Sequence, residues 1–276
     1  MTAHRDRGAP SPAPGPSAHL LPFPAVRRRV RRPLGALLAL ALRLRSRPLR
    51  PAAGAPALVF APHQDDEALG CGGLMILQHQ AGQPVHVAYL TDGSASHPGH
   101  PRIAGAELVR LRREEAAAAA ALLGVPAGRL HFLGARDGTL NRLEPAVAAA
   151  LAAAIAGVLA AVRPAEVFLP CRRDGSSEHD AAFPLILAAV RGVNPRPRLL
   201  EYPIWARWSP QRLVRPLLGS RRVWRAFFPG QSALKQQALA LYASQFQPLP
   251  PWDQPVCPPE FAACFSSDEE FFFETV

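Results

Sequence analysis

A histidine and three carboxylates stand together at Pro62-His63-Gln64-Asp65-Asp66-Glu67, after an apolar run of strand length, Leu58-Val59-Phe60-Ala61. A glycine-rich segment, Gly70-Cys71-Gly72-Gly73, then opens a pattern of helical length. Imidazole and carboxylate are ligands that Zn²⁺ accepts, so His63 and Asp66 could share an ion, which leaves Asp65 between them as a proton shuttle. The structural reading of the same residues is a polar loop in which Asp65 or Asp66 caps the following helix and His63 is simply packed. For a His-x-x-Asp motif standing alone, that second reading is the commoner one.

The elements around the motif change the balance. Strand-like runs fall at 57–61, 84–90, 129–134, 166–170 and 198–202, and helical patterns at 67–81, 105–123, 144–162 and 179–192, with Gly124 as a stop signal. This alternation predicts a doubly wound, Rossmann-like α/β fold: a mostly parallel sheet with helices on both faces. Loops after parallel strands converge on one edge. Here they carry His63, Asp65 and Asp66; Asp92 in Thr91-Asp92-Gly93-Ser94; Asp137 in Ala135-Arg136-Asp137-Gly138; and Asp174 to Asp180, with Ser176 and His179. His179 arrives where a second imidazole would complete a His-Asp-His set. Three protein ligands leave a coordination position open, which marks catalytic rather than structural zinc.

Charge has to be located before it is interpreted. Of the 31 basic residues, eleven arginines lie in residues 1–53 beside a single acid, Asp6, and the rest of the chain is neutral. A nucleic-acid function is therefore not supported, since no recognition motif accompanies the charge. Residues 1–53 read as a disordered basic leader, with a short apolar run at 34–42 that is too brief to span a bilayer. We expect this run to lie against the folded domain, 54–276; peripheral contact of residues 27–50 with an anionic membrane is the alternative. Cys71, Cys171, Cys257 and Cys264 show no disulfide or zinc-ribbon spacing, which suits a reducing cytoplasm. Residues 203–276, richer in Pro and aromatics and with a helix near 231–243, read as a C-terminal extension over the site. Oligomeric state has no signature here.

Pro62-His63-Gln64-Asp65-Asp66-Glu67 with Gly70-Cys71-Gly72-Gly73 resembles the Pro-His-Pro-Asp-Asp-Glu-x-x-x-Gly-x-Gly-Gly signature of the PIG-L/LmbE-like zinc N-deacetylases. Arg112-Arg113-Glu114-Glu115 before Gly124, Phe132-Leu133-Gly134 with Asp137-Gly138, Asp174 to His179, Glu201-Tyr202-Pro203 and Lys235 with Tyr242-Ala243-Ser244-Gln245 match further landmarks in order. The resemblance implies that His63, Asp66 and His179 bind one Zn²⁺ and that Asp65 is the general base. It also implies that Arg112 and Asp137 hold the substrate, and we group Asp92 with them from its loop. The implied reaction removes an N-acetyl group from an N-acetylglucosamine-type glycoconjugate. An amidase acting on a larger acyl group or a thiol conjugate, or a silent sugar-binding member, would carry the same motifs. The chain departs from the family at Gln64, in place of proline, and at Glu178, in place of aspartate. It also has Ser176 where an oxyanion-stabilising histidine is usual. Loss of one such donor costs about 10²–10³ in rate, so Ser176, His97, His100, Arg173 or the metal has to carry that load.

Overall fold

The computed structural model describes residues 25–51 and 54–275. The chain opens with α1 (Ala25–Arg45) and the short β1 (Ser46–Pro48). There follow β2 (Ala57–Ala61), α2 (Asp66–Gln80), β3 (Val85–Thr91), α3 (Gly105–Leu122), β4 (Leu130–Ala135), α4 (Pro145–Val162), β5 (Glu166–Pro170), α5 (Ser177–Arg191) and β6 (Arg198–Tyr202). The C-terminal part contributes α6 (Trp205–Trp208), α7 (Val214–Gly219), β7 (Arg222–Phe227), α8 (Ser232–Ala240), α9 (Ala243–Phe246), α10 (Pro259–Ala262) and β8 (Glu269–Glu274). The strands form one sheet in the order β1-β7-β8-β6-β5-β2-β3-β4, parallel except for β8 against β6 and β7.

Strand β2 is buried along its whole length because it is covered on both faces. Its side chains alternate between two cores. Ala57, Val59 and Ala61 face α2, α3 and α8, while Leu58 and Phe60 face α4 and α5. After β2 the chain winds outward through β3 and β4, then crosses back to lay β5 on the other side of β2. The loops after β2 and β5 therefore part at a topological switch point, the place where an open α/β sheet forms a crevice.

Helix α2 sits unusually deep, and its glycines are the reason. A Cβ on Gly70 would stand 2.4 Å from the Tyr202 ring, and one on Gly73 would stand 2.0 Å from the Phe228 ring. The glycines let the helix close onto the sheet and so fix where its N-terminal Asp66 lies. Lys235, the one lysine of the sequence, locks the same contact. Its Nζ donates to the Leu69 carbonyl (2.7 Å) and to Glu270 (2.8 Å), whose carboxylate accepts the backbone N–H groups of Gly73 and Leu74.

Two segments enter the sheet itself as well as packing on it. The apolar run at 34–42 lies against the folded domain, as expected. The leader's first 24 residues lie outside those described, but the chain is helical from Ala25, well before the apolar run. Leu38 and Leu42, one turn apart, bury into a third cluster with Leu213, Leu217, Val223, Phe271 and Phe273. Each such leucine stabilises the fold by about 1.5–3 kcal/mol. β1 then pairs with β7 and extends the sheet. The C-terminal extension likewise enters the sheet. β8 is buried although three of its six residues are glutamates, because each acid has a partner: Glu269 takes Arg43 (2.6 Å), Glu270 takes Lys235, and Glu274 accepts from Trp224 Nε1 (2.7 Å).

Candidate metal and catalytic site

His63, Asp65 and Asp66 occupy the turn between β2 and α2, and His179 lies in the first turn of α5, across the switch point. His63 Nδ1 is 3.3 Å and His179 Nε2 is 3.2 Å from the same Asp66 oxygen, Oδ2, with the two rings 5.6 Å apart. His179 is fully buried, yet its Nε2 makes no hydrogen bond. The other nitrogen of each ring is committed. His179 Nδ1 lies 2.9 Å from Asp174, and His63 Nε2 lies 2.8 Å from Glu178 and 3.3 Å from Asp137. If those nitrogens carry the protons, the unprotonated ones point at a carboxylate oxygen, an arrangement of three lone pairs that needs a cation between them. Two imidazoles and a carboxylate suit a zinc-like ion, and carboxylates on the far nitrogens are the usual means of fixing ring orientation.

The outer carboxylates are themselves anchored. Asp174 accepts backbone N–H groups from Ile204, Trp205 and Ala206 at 2.9–3.3 Å. Glu178 accepts those of Gly138 (3.1 Å) and Leu140 (2.8 Å), and Asp137 accepts that of Ala95 (2.9 Å). This fixed negative charge shows in the proton affinities. Burial would lower His179, but Asp66 and Asp174 overrule it and hold its pKa up at about 9. Burial likewise works against His63, and its hydrogen bonds to Asp137, Asp66 and Glu178 raise it well above an ordinary histidine. For Asp66, burial opposes ionisation but the two histidines outweigh it, holding the carboxyl far below the usual range.

Asp65 has a different environment. It is buried, and its backbone is held at φ 136°, a conformation that side-chain-bearing residues rarely adopt. Three contacts keep the turn in this shape. Glu67 accepts the Asp65 N–H (3.1 Å), Tyr242 from the C-terminal extension donates to Glu67, and Arg112 from α3 donates to the carbonyl of Gln64. Burial raises the Asp65 carboxyl to about 7, against the Arg112 guanidinium 3.8 Å away. A carboxylate with that value accepts and releases a proton near neutrality.

The remaining sequence-predicted residues fall into distinct places. Arg112 is 2% exposed and lies beneath the Gln64 turn, so it faces Asp65 rather than open space. Asp137 packs against the His63 ring. Asp92 accepts the N–H groups of Ser94 and Asp137 and so ties two site loops together. Ser176 is half-buried at the N-cap of α5 and makes no side-chain capping bond. His97 and His100 are buried against Trp252 of the extension, His97 stacked on it at 5.3 Å and His100 edge-on at 4.7 Å. The orienting roles of Asp174 and Glu178, and the Glu67–Tyr242 pair, were not read from the sequence. A usable signal existed, since a metal-binding histidine needs an acceptor for its second nitrogen and acids flank His179 in its own loop.

Comparison with known proteins agrees with this geometry. Residues 58–190 match the family model described as "PIG-L: GlcNAc-PI de-N-acetylase". Among solved structures, the conserved protein TT1542 from Thermus thermophilus is similar at 28% identity and TM-score 0.50, over 69% of this chain and 79% of that one. The A40926 pseudoaglycone deacetylase Dbv21 is similar at 22% identity and TM-score 0.59, over 80% and 96%. The N,N'-diacetylchitobiose deacetylase from Pyrococcus horikoshii is similar at 21% identity and TM-score 0.54, over 82% of each chain. The stretch that matches the PIG-L model contains the histidines, the carboxylates and Arg112.

Proposed function

We propose that this chain is a metal-dependent N-deacetylase that hydrolyses the acetamide of an N-acetylglucosamine-type glycoconjugate, with zinc as the ion. The observation that carries the reading is the convergence of His63 Nδ1, Asp66 Oδ2 and His179 Nε2, with both opposite ring nitrogens tied to carboxylates. Those three atoms would hold the metal. When bound, it polarises an amide carbonyl and lowers the pKa of water to about 7.

The chain supplies the rest. Asp65 Oδ1 or Oδ2 takes a proton from the attacking water and returns one to the departing nitrogen, so that amide plus water become acetate plus amine. Arg112 keeps this buried carboxyl within reach of ionisation, and the Glu67–Tyr242 contact holds it in its strained position. Asp137 and Glu178 keep the His63 ring oriented, and Asp174 does the same for His179. The test is acetate release from a panel of N-acetylglucosamine conjugates by protein stripped with chelator and then reloaded. Release that vanishes on stripping and returns with Zn²⁺ is the expected result. Stoichiometric Zn²⁺ with no release from any conjugate would overturn the acetamide reading.

A further inference from the structure

We propose that α1 is a docking helix for an anionic lipid surface. One side of the helix is accounted for by Leu38 and Leu42, which are buried under α7, β7 and β8. The other side presents Leu37, Leu40 and Leu44, which are 65%, 52% and 78% exposed. Their spacing of three and four residues makes one continuous stripe along the helix. The neighbouring α7 adds Leu218, 69% exposed, next to Leu217, whose carbonyl accepts a hydrogen bond from Arg45 of α1. A run of outward leucines is costly in water and needs an apolar neighbour.

Charge identifies the neighbour. The 21 residues of α1 include seven arginines and no acid, and residues 1–53 as a whole carry the entire excess of +10. A helix with one leucine stripe and arginine as its only charged residue is the pattern that lies in the interface of a bilayer containing acidic headgroups. A second copy of the chain placed face to face would bring two such arginine sets together, which disfavours that occupant.

The direction of α1 relates this surface to the site. Gly35 lies against Pro210, in the segment that follows the carboxyl end of β6, whereas Arg45 leads directly into the amino end of β1. β1 runs parallel to β7, which shares with β6 an antiparallel neighbour, β8. The helix therefore runs away from the sheet edge that carries the metal-binding residues, and its arginine-rich first half belongs to that edge. Docking through α1 holds the site edge near the lipid surface.

The test uses the full chain in sedimentation with vesicles of phosphatidylcholine alone and of phosphatidylcholine with phosphatidylglycerol. The wild type should sediment with the anionic vesicles only, and less as salt rises. Leu37→Gln, Leu40→Gln and Leu44→Gln together should lower the partition coefficient at least tenfold with an unchanged urea midpoint, since these side chains do not contribute to the core. No binding to anionic vesicles, or equal binding by the triple variant, would overturn the proposal. So would a wild-type dimer that becomes a monomer in the triple variant, because the stripe would then belong to self-association.

Discussion

Asp65 and Asp66 are adjacent and chemically identical, yet their surroundings separate them. Two imidazoles hold Asp66 ionised, while burial lifts Asp65 to about 7 beside Arg112. Asp65→Asn should therefore keep the metal stoichiometry of the wild type by elemental analysis while turnover falls about 10²–10⁴-fold, the range of a lost general base. Loss of metal in that variant would mean that the two aspartates have exchanged roles. Ser176 gives the opposite kind of test. It makes no capping bond and is only half-buried, so replacing it removes little. Ser176→His should raise turnover by up to about 10²-fold if an oxyanion donor is the missing component. An unchanged rate would place that donor elsewhere.

At the scale of elements, α2 is the part that has to be placed correctly, because Asp66 is its first residue. The Lys235–Glu270 pair holds that helix from α8 and β8 on the same face of the sheet, with both side chains buried. Removing one partner of such a pair leaves an uncompensated charge, so Lys235→Met should cost about 3–5 kcal/mol by urea unfolding. Lys235→Met with Glu270→Leu should recover part of the loss. The sequence made the first five core strands and the helices between them legible, because their apolar periods are uninterrupted and bounded by glycine or proline. It also brought His63, Asp66 and His179 to one edge. It did not reveal β7 and β8. A strand written Glu-Glu-Phe-Phe-Phe-Glu looks like a surface segment until Arg43, Lys235 and Trp224 are in place to receive its acids, and these lie 226, 35 and 50 residues away in the chain. The same limit hid Glu67–Tyr242, which joins the first motif to the extension over 175 residues.

At the scale of the whole molecule, the leader is continuous with the fold. Deleting residues 1–53 would strip β1 from the open side of β7 and uncover the apolar bed beneath Leu38 and Leu42. The expected result is a loss of roughly 3–6 kcal/mol from those two leucines, and aggregation through the freed strand edge, visible by size exclusion. Turnover per soluble folded molecule should persist, because β1 lies at the opposite end of the sheet order from β3 and β4 and several strands from β2. Asp174 has a longer-range consequence. One carboxylate serves both the ring of His179 and three amides at the start of the segment after β6. Capture of an ion at the proposed site would thereby be thermodynamically linked to the ordering of Ile204 to Ala206, and linkage is reciprocal. Chelation should speed deuterium uptake at those three amides by about fivefold or more, while the amides of α4, which has no residue at the site, keep their rate. A ligand that tightens the roof over the crevice should raise the affinity for the ion by the same factor by which the ion raises the affinity for that ligand.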